Sequence, residues 1–329
     1  MILVTGGAGY IGSHCALKLL KENQDIVVFD NLSTGNVKII NELSKRYNFK
    51  FVQGDLLNIN DLEGLFATHD FEGVFHFAAF SQVGESVVDP KKYYTNNVLG
   101  TLNLLNAMRM HKVEKFIFSS SASVYGEPNY IPIDELHSKN PLNPYGKTKL
   151  IIENILDDYD KAYGLKFVIL RYFNVVGASS DMNIGEYHEP ETHLVPNILK
   201  STLFFNKKFE LYGQDYDTKD GTCVRDYINV EDLADAHFLA YNYLQKYNLS
   251  NCFNLGTREG YTVKDVFSAC EEVLQKPIIL DIKGRRDGDA AKLVADNTKA
   301  KDILGWSPTR TLKYSIQTAY NWELFLQDV

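Results

Sequence analysis

The sequence predicts an α/β protein, a doubly wound parallel sheet joined to a second, smaller α/β domain. Three observations predict it. Through the first half of the chain, short apolar runs alternate with longer amphipathic stretches. That is the pattern of parallel strands covered by helices on both faces. A glycine-rich turn, "TGGAGYIG", joins the first apolar run to the first amphipathic stretch. Past residue 177 the alternation gives way to polar, loop-like segments.

The elements follow in order. "MILVTG" reads as a buried strand, "SHCALKLLKENQ" as a helix, "DIVVFD" as a strand, "VKIINELSKRY" as a helix and "FKFVQGD" as a strand. "INDLEGLFATH" is a helix and "FEGVFHFAA" a strand. One helix is expected through "YYTNNVLGTLNLLNAMRMH", then the strand "KFIFSSS", the helix "YGKTKLIIENILDDYDKAYG" and a single strand "KFVILRYFNVVG". Right-handed crossovers make such a series doubly wound. Next come two polar stretches, "ASSDMNIGEYHEPETHLVPN" and "LYGQDYDTKDGTCVRDYINV", a short strand at "CFNLGT" and a last helix near "LKYSIQTAYNWELFLQ". The expected division is 1–176 plus about 225–258 for the sheet domain, and about 177–224 plus 259–329 for the smaller one.

The bulk numbers narrow the function. The 329 residues suit one large or two moderate domains. A net charge of −8 argues against nucleic acid, whose phosphates require clustered Lys and Arg. No apolar run approaches the ~18 residues of a membrane span. Cys15, Cys223, Cys252 and Cys270 have neither metal-ligand spacing nor the pattern of a disulfide framework, which suggests a reducing cytoplasm. The opening "MILVTGGAGYIG" has no charged region or cleavage site of a signal peptide.

The glycine turn points to a dinucleotide. Gly7-x-Gly9-x-x-Gly12 fits the usual fingerprint, and Gly6-x-x-Gly9-x-x-Gly12 its shorter-spaced form. Glycine allows a tight turn, close approach of a pyrophosphate, and close helix–strand packing. Any tight turn could show such a pattern, but this one follows a strand and opens a helix. The next strand ends in Asp30, placed to accept hydrogen bonds from a ribose and to repel a 2′-phosphate, which favours NAD over NADP. Asp55, at the end of the third strand, is a candidate for the adenine or simply a turn residue. Ala78 and Ala79 are small enough for close approach of a cofactor or a helix.

The chemistry is in "SSSASVYG" and "NPYGKTKL". Strand ends in such a sheet face the ligand crevice, so a serine of the first stretch can stand beside the nicotinamide. Tyr145 and Lys149 share a helix face four residues apart. In a chain with 20 Tyr that pair is near chance by itself, and its place after the serine strand is what distinguishes it. A phenol with a pKa near ~10 is a poor base. A neighbouring ammonium and a positive nicotinamide are expected to lower it, so that a tyrosinate takes a hydroxyl proton while hydride leaves the carbon.

With those residues in place, the chain resembles the extended short-chain dehydrogenases/reductases and, among them, the UDP-glucose 4-epimerase family over nearly its whole length. "VTGGAGYIGSH", "VFDNLSTGN", "GDLLN", "VFHFAA", "VGESV", "YYTNNVLGTLNLL", "SSSASVYG", "NPYGKTK", "LRYFNVVGA", "DGTCVRDYINVEDLADAH", "FNLGT" and "GRRDGD" carry the resemblance in order. It implies a catalytic set of Ser121, Tyr145 and Lys149. It implies NAD contacts at Gly6, Gly9, Tyr10, Ile11, Gly12, Asp30, Asn31, Leu32, Ser33, Thr34, Gly35, Asp55, Leu56, Phe77, Ala78, Ala79, Phe80, Ser81, Asn96, Tyr172 and Phe173, besides Tyr145 and Lys149. For the UDP-hexose it implies Asn174, His193, Leu194, Tyr212, Arg225, Arg286, Asp289 and Leu293, with Ser121 and Tyr145. Arg225 and Arg286 suit a diphosphate because guanidinium offers forked donors.

The implied reaction oxidises C4 of the hexose to a 4-keto sugar and returns the hydride to its other face. Two departures stand out: Ser81 occupies a place where some family members have lysine, and Thr192-His193-Leu194 stands where others have Asn-Asn-Leu. Leu293 replaces a bulkier tyrosine, which suggests room for 2-acetamido sugars. No metal is expected: His188 and His193 in "HEPETH" are five apart with a proline between, which is not the helical zinc spacing. Rival readings are a nucleotide-sugar 4,6-dehydratase, a UDP-glucuronate or UDP-N-acetylglucosamine 4-epimerase, and a non-catalytic NAD sensor. The serine strand carries no acid after it for dehydration. The long helices after strands four and five imply a homodimer by the same resemblance.

Overall fold

The computed structural model describes residues 1–205, 208–285 and 290–328. β1 (Ile2–Thr5), α1 (Tyr10–Lys21), β2 (Ile26–Asp30), α2 (Val37–Ser44), β3 (Lys50–Gln53), α3 (Ile59–Thr68) and β4 (Gly73–His76) alternate from the start. Two short helices, α4 (Val83–Val88) and α5 (Pro90–Tyr93), lead through Tyr94–Leu99 into α6 (Gly100–Met110). β5 (Lys115–Ser121), α7 (Pro144–Tyr163), β6 (Lys166–Tyr172) and β7 (Asn174–Val176) follow. The remainder comprises α8 (Leu194–Lys200), β8 (Phe209–Tyr212), β9 (Val224–Arg225), β10 (Tyr227–Asn229), α9 (Val230–Tyr247), β11 (Asn251–Leu255), β12 (Tyr261–Thr262), α10 (Val263–Leu274), β13 (Leu280–Lys283), β14 (Lys292–Leu293), α11 (Thr298–Leu304) and α12 (Leu312–Asp328).

Seven parallel strands form the main sheet in the order β11-β6-β5-β4-β1-β2-β3. The chain runs outward from β1 to β3, then restarts at β4 on the other side of β1. That reversal opens a crevice at the carboxyl ends of β1 and β4, where such sheets bind ligands. Alternate residues of each inner strand feed opposite faces. Ile2 and Val4, with Ile26 and Val28, pack against Leu17 and Leu20 of α1 and Leu233 and Ala240 of α9. Leu3, Val27 and Phe29 pack on the other side against α3, α6 and α7 through Leu62, Leu104 and Ile152. A separate core unites α8, α10 and α12 through Ile198, Val266, Cys270 and Ile316. Among the described residues, no helix is long and apolar enough to cross a membrane.

Three local expectations are corrected. The helix expected through "YYTNNVLGTLNLLNAMRMH" is α-helical only in part, because Tyr94–Leu99 winds as a π-helix. Such a bulge is uncommon and tends to occur at functional sites. The polar stretch before "LVPN" ends at His193, and Leu194 already opens α8. The strand expected at "KFVILRYFNVVG" divides at Phe173, which is buried with Ala122, Val124 and Tyr125. The Asn174 amide then turns to the Asp226 carbonyl at 3.0 Å, and β7 leaves the sheet to pair with β10.

Candidate active site

The glycine turn is built by steric necessity. Gly6 has φ +71°, and a Cβ there would lie 2.5 Å from the amide nitrogen of Ala78. A Cβ on Gly12 would lie 2.2 Å from the Gly6 carbonyl oxygen. The turn therefore packs directly against the exit of β4, and Ala78 serves close packing as well as the crevice. α1 begins after Gly9 with no side-chain cap, which leaves its first amides for a ligand.

Asp30 is 7% exposed, and its carboxylate braces this turn. Oδ2 accepts from the Ala8 amide at 3.0 Å and Oδ1 from the Leu32 amide at 2.8 Å. Burial raises its pKa, while the two amides work against that rise. Leu32, at φ +61°, and Gly35, whose added Cβ would sit 2.8 Å from Asp30 Oδ1, shape the bend around the carboxylate. An uncapped helix start beside a braced carboxylate at the end of β2 fits an NAD adenosine and pyrophosphate.

A cavity of about 650 Å³ runs along these strand ends. Of the sequence-predicted residues, the structure gathers around it Gly6, Gly9, Tyr10, Ile11, Gly12, Asp30, Asn31, Ser33, Thr34, Leu56, Phe77, Ala78, Ala79, Phe80, Ser81, Asn96, Ser121, Tyr145, Lys149, Tyr172, Phe173, Asn174, His193 and Leu293.

The reactive corner is set by α7. Asn143 caps the helix by accepting from the Gly146 amide at 2.9 Å, and Pro144 occupies its first turn. A Cβ on Gly146 would lie 2.5 Å from the Ser123 carbonyl, so glycine lets the helix press against the chain just after β5. This contact brings Tyr145 to Ser121. Burial holds the Tyr145 phenol above its ordinary pKa, and hydrogen bonding with Ser121 opposes it. Lys149 Nζ donates to the Ser119 carbonyl at 2.7 Å and stands 5.8 Å from the centre of the Tyr145 ring. Burial pushes Lys149 down to about 7, against the pull of Glu153.

Within the chain, burial disfavours the charged forms of both phenol and ammonium, so the positive charge that the bound nicotinamide is expected to add is what the proton transfer would draw on. Beneath this corner lies a satisfied ionic brace. Arg171 donates to Glu153 Oε1 at 2.8 Å through Nε and to Oε2 at 2.6 Å through Nη2. Ser120 donates to Oε1 at 2.7 Å. Glu153 is one turn beyond Lys149 on the same helix face, so the brace ties α7 to β5 and β6.

Other predicted residues adjoin the cavity lining without being part of it, or have other neighbours. Asp55 accepts from Asn31 Nδ2 at 3.0 Å and from the Leu57 amide at 2.8 Å, the contacts of a turn residue. Leu194 packs against the third core. Tyr212 ends β8 with its hydroxyl on Glu210. Arg225 Nη1 donates to the carbonyls of Val224 at 2.9 Å and Ala290 at 2.8 Å. Arg286 and Asp289 lie outside the described residues.

Sequence reasoning missed several neighbours. Asn97, on the π-helical turn, accepts from the Phe80 amide at 2.9 Å, and its Nδ2 donates to the Phe80 carbonyl at 3.0 Å and Thr148 Oγ1 at 3.2 Å. It thus clamps the loop after β4 to α7. Lys92 reaches the cavity with its ammonium 2.6 Å from Glu85 and 4.3 Å from the centre of the Phe80 ring. Glu186, His188 and Glu189 also line the cavity. The irregular loop that carries them has no periodicity to reveal which side chains meet.

Comparison with known proteins places this geometry. Residues 3–319 match the family model described as GDP-mannose 4,6 dehydratase. The UDP-glucose 4-epimerase of Lactobacillus helveticus is 48% identical over 98% of this chain and 96% of its own length. The chain belongs to the UDP-glucose 4-epimerase family. Two solved members of the family share its architecture throughout. The Bifidobacterium longum enzyme in complex with NAD+ and UDP is 39% identical, with a TM-score of 0.95 and 99% of each chain covered. The Brucella ovis enzyme in complex with NAD is 44% identical, with a TM-score of 0.93 and 97% of each chain covered.

Proposed function

We infer that the protein is an NAD-dependent isomerase that interconverts UDP-glucose and UDP-galactose by inversion at C4. The observation that carries this is the convergence of Ser121, Tyr145 and Lys149 on one cavity with the glycine turn and Asp30. The chemistry NAD supplies when bound is reversible acceptance of hydride from the sugar C4. Tyr145 Oη takes the proton of the C4 hydroxyl and later returns it. Ser121 Oγ orients that hydroxyl, and Lys149 Nζ holds positive charge beside the phenol when protonated. Inversion requires the keto sugar to present its other face, so the hexose must be held loosely and the nucleotide firmly.

Residues 1–176 plus about 225–258 take the NAD role in this account, and about 177–224 plus 259–329 the UDP-sugar role. Arg225, Arg286 and Asp289 are assigned to the nucleotide diphosphate and ribose. A cytoplasmic setting suits four free thiols. A homodimer through α6 and α7 is part of the proposal, and a single-chain mass in sedimentation would exclude it.

The test is direct. Pure protein incubated with UDP-galactose, followed by separation of the C4 epimers, is expected to give an equilibrating mixture with UDP-glucose. Absence of conversion overturns the assignment. Tyr145→Phe is expected to lower kcat by about 10²- to 10⁴-fold, the usual worth of a positioned acid–base group, while NAD still copurifies.

A further inference from the structure

The loop between Gly177 and Leu194 carries a cluster for which the proton and hydride transfers have no use. Glu186, His188, Glu191 and His193 each bring one donor atom within 4.8 Å of the others. His193 Nδ1 lies 2.7 Å from Glu186 Oε1 and 3.1 Å from Glu191 Oε1. His188 Nδ1 lies 3.2 Å from Glu186 Oε1 and 3.9 Å from Glu191 Oε2. Both carboxylate side chains are 6% exposed.

Two of these atoms are left over. Glu191 Oε1 accepts from the amides of Thr192 at 2.8 Å and His193 at 2.9 Å. Glu191 Oε2 and His188 Nδ1 are buried without a well-aligned hydrogen bond among the described residues, His188 Nδ1 having only the 3.2 Å ion-pair contact to Glu186. Buried polar atoms are nearly always bonded, so such a pair calls for a shared partner. The Lys200 ammonium, 3.7 Å from Oε2 and 3.6 Å from Glu323, stands outside hydrogen-bond reach of both.

Four ligand-type groups face one point, and the proton that His193 Nδ1 shares with Glu186 and Glu191 is the one a divalent cation would displace. A tetrahedral zinc ion with bonds of about 2.0–2.2 Å separates its ligand atoms by roughly 3.3–3.6 Å. Three of the four histidine–carboxylate separations, 2.7, 3.1 and 3.2 Å, are shorter than that span and the fourth, 3.9 Å, is longer, with all donor atoms within 4.8 Å of one another. The surroundings are electronegative: after burial, Glu186 and Glu191 are what raise the Tyr10 phenol. The helical spacing rule that argued against a metal in "HEPETH" does not apply, because these residues fold as a loop.

We propose that Glu186, His188, Glu191 and His193 form a site for a divalent cation of the zinc class, with two imidazole nitrogens and two carboxylates as ligands. The site pins both arms of the loop around Pro190, at the wall of the cavity. It stands independently of the reaction assigned above.

Full-length protein freed of metal by a chelator and titrated with Co²⁺ tests this. The expected result is one equivalent per chain, with the visible absorption of a four-coordinate ion. Zn²⁺ should displace it, and the unfolding temperature should rise with metal concentration. His188→Ala and Glu191→Gln should each weaken Co²⁺ binding by at least about 100-fold, the upper end for losing even an outer-sphere partner, while NAD still copurifies. If one variant fails to fold, the other decides. Unchanged affinity in a folded variant overturns the site. So does a wild-type protein that binds no Co²⁺, or one whose His193 ring keeps protons on both nitrogens in excess Zn²⁺ by NMR.

Discussion

The reactive corner and the loop that walls the cavity are built by different means. Ser121 ends a strand in the middle of the sheet, and Tyr145 and Lys149 stand on a 20-residue helix held by a cap, a glycine contact and a buried ion pair. The wall at 177–193 has no strand or helix, and two of its buried polar atoms lack a well-aligned hydrogen bond among the described residues. Proton transfer tolerates little displacement, so its groups sit on rigid elements with satisfied partners. The proposed cation site is carried by a loop, which can change without disturbing the sheet.

The sharpest way to break this contrast is to attack the brace under the reactive corner. Glu153 and Arg171 are 1% and 4% exposed, so removing one leaves a buried charge unpaired. Glu153→Ala is expected to cost about 3–5 kcal/mol of stability, the usual loss for half of a buried pair. Urea unfolding measures it. A loss below 1 kcal/mol, typical of surface pairs, would show that the corner is not held by this brace.

The contrast also separates what was legible in the sequence from what was not. The succession of strands and helices, Asp30 and the Ser-Tyr-Lys set lie on or at the ends of regular elements, where periodicity locates a residue in space, and the glycine turn was legible from its spacing between two of them. Asp55, Arg225 and Tyr212 were read from motif, and motif alone does not tell which neighbours they meet: the Leu57 amide, the Ala290 carbonyl and the Glu210 carboxylate are among them. Asn97 escaped because it lies on a π-helical turn that breaks the helical period, and Lys92 because it stands on the one-turn helix just before it. The cluster at Glu186, His188, Glu191 and His193 escaped for a related reason: a loop's contacts are tertiary, and spacing along the chain does not encode them.

A second test uses the dryness of the corner. Lys149 is lowered to about 7 in the folded chain from an ordinary 10.5. Between those values unfolding takes up a proton, so this residue makes stability rise with pH across the window. Below pH 7 both states are protonated and the dependence ends. Wild-type stability should therefore climb by up to about 1.4 kcal/mol per pH unit in the window from this group, and Lys149→Met should lose that slope. Urea unfolding of both proteins, stripped of cofactor, at pH 7 and pH 10 checks it. Equal slopes would mean that the ammonium is solvated and the corner is wet.

The smallest expected effect lies on the substrate side. Leu293 lines the cavity, and its backbone is held by the Asp226 amide donating to its carbonyl at 3.1 Å. Asp226 in turn accepts from the amides of Thr257 at 2.8 Å and Ala295 at 3.1 Å, so the strand that presents Leu293 is fixed, and its side chain lines the cavity while packing against the cluster that holds Ala122, Phe173 and Ala295. The wild-type protein is expected to turn over UDP-N-acetylgalactosamine as well as UDP-galactose. Leu293→Tyr should lower kcat/KM for the acetamido sugar by about 10- to 200-fold relative to UDP-galactose, the range that pocket size alone commands. Folding and NAD content should not change, because Leu293 lies on the small β12-β9-β14 sheet and not on the seven-stranded one. Side-by-side kinetics decide: an unchanged ratio, or a wild-type protein inert toward the acetamido sugar, would move the specificity determinant elsewhere along the wall.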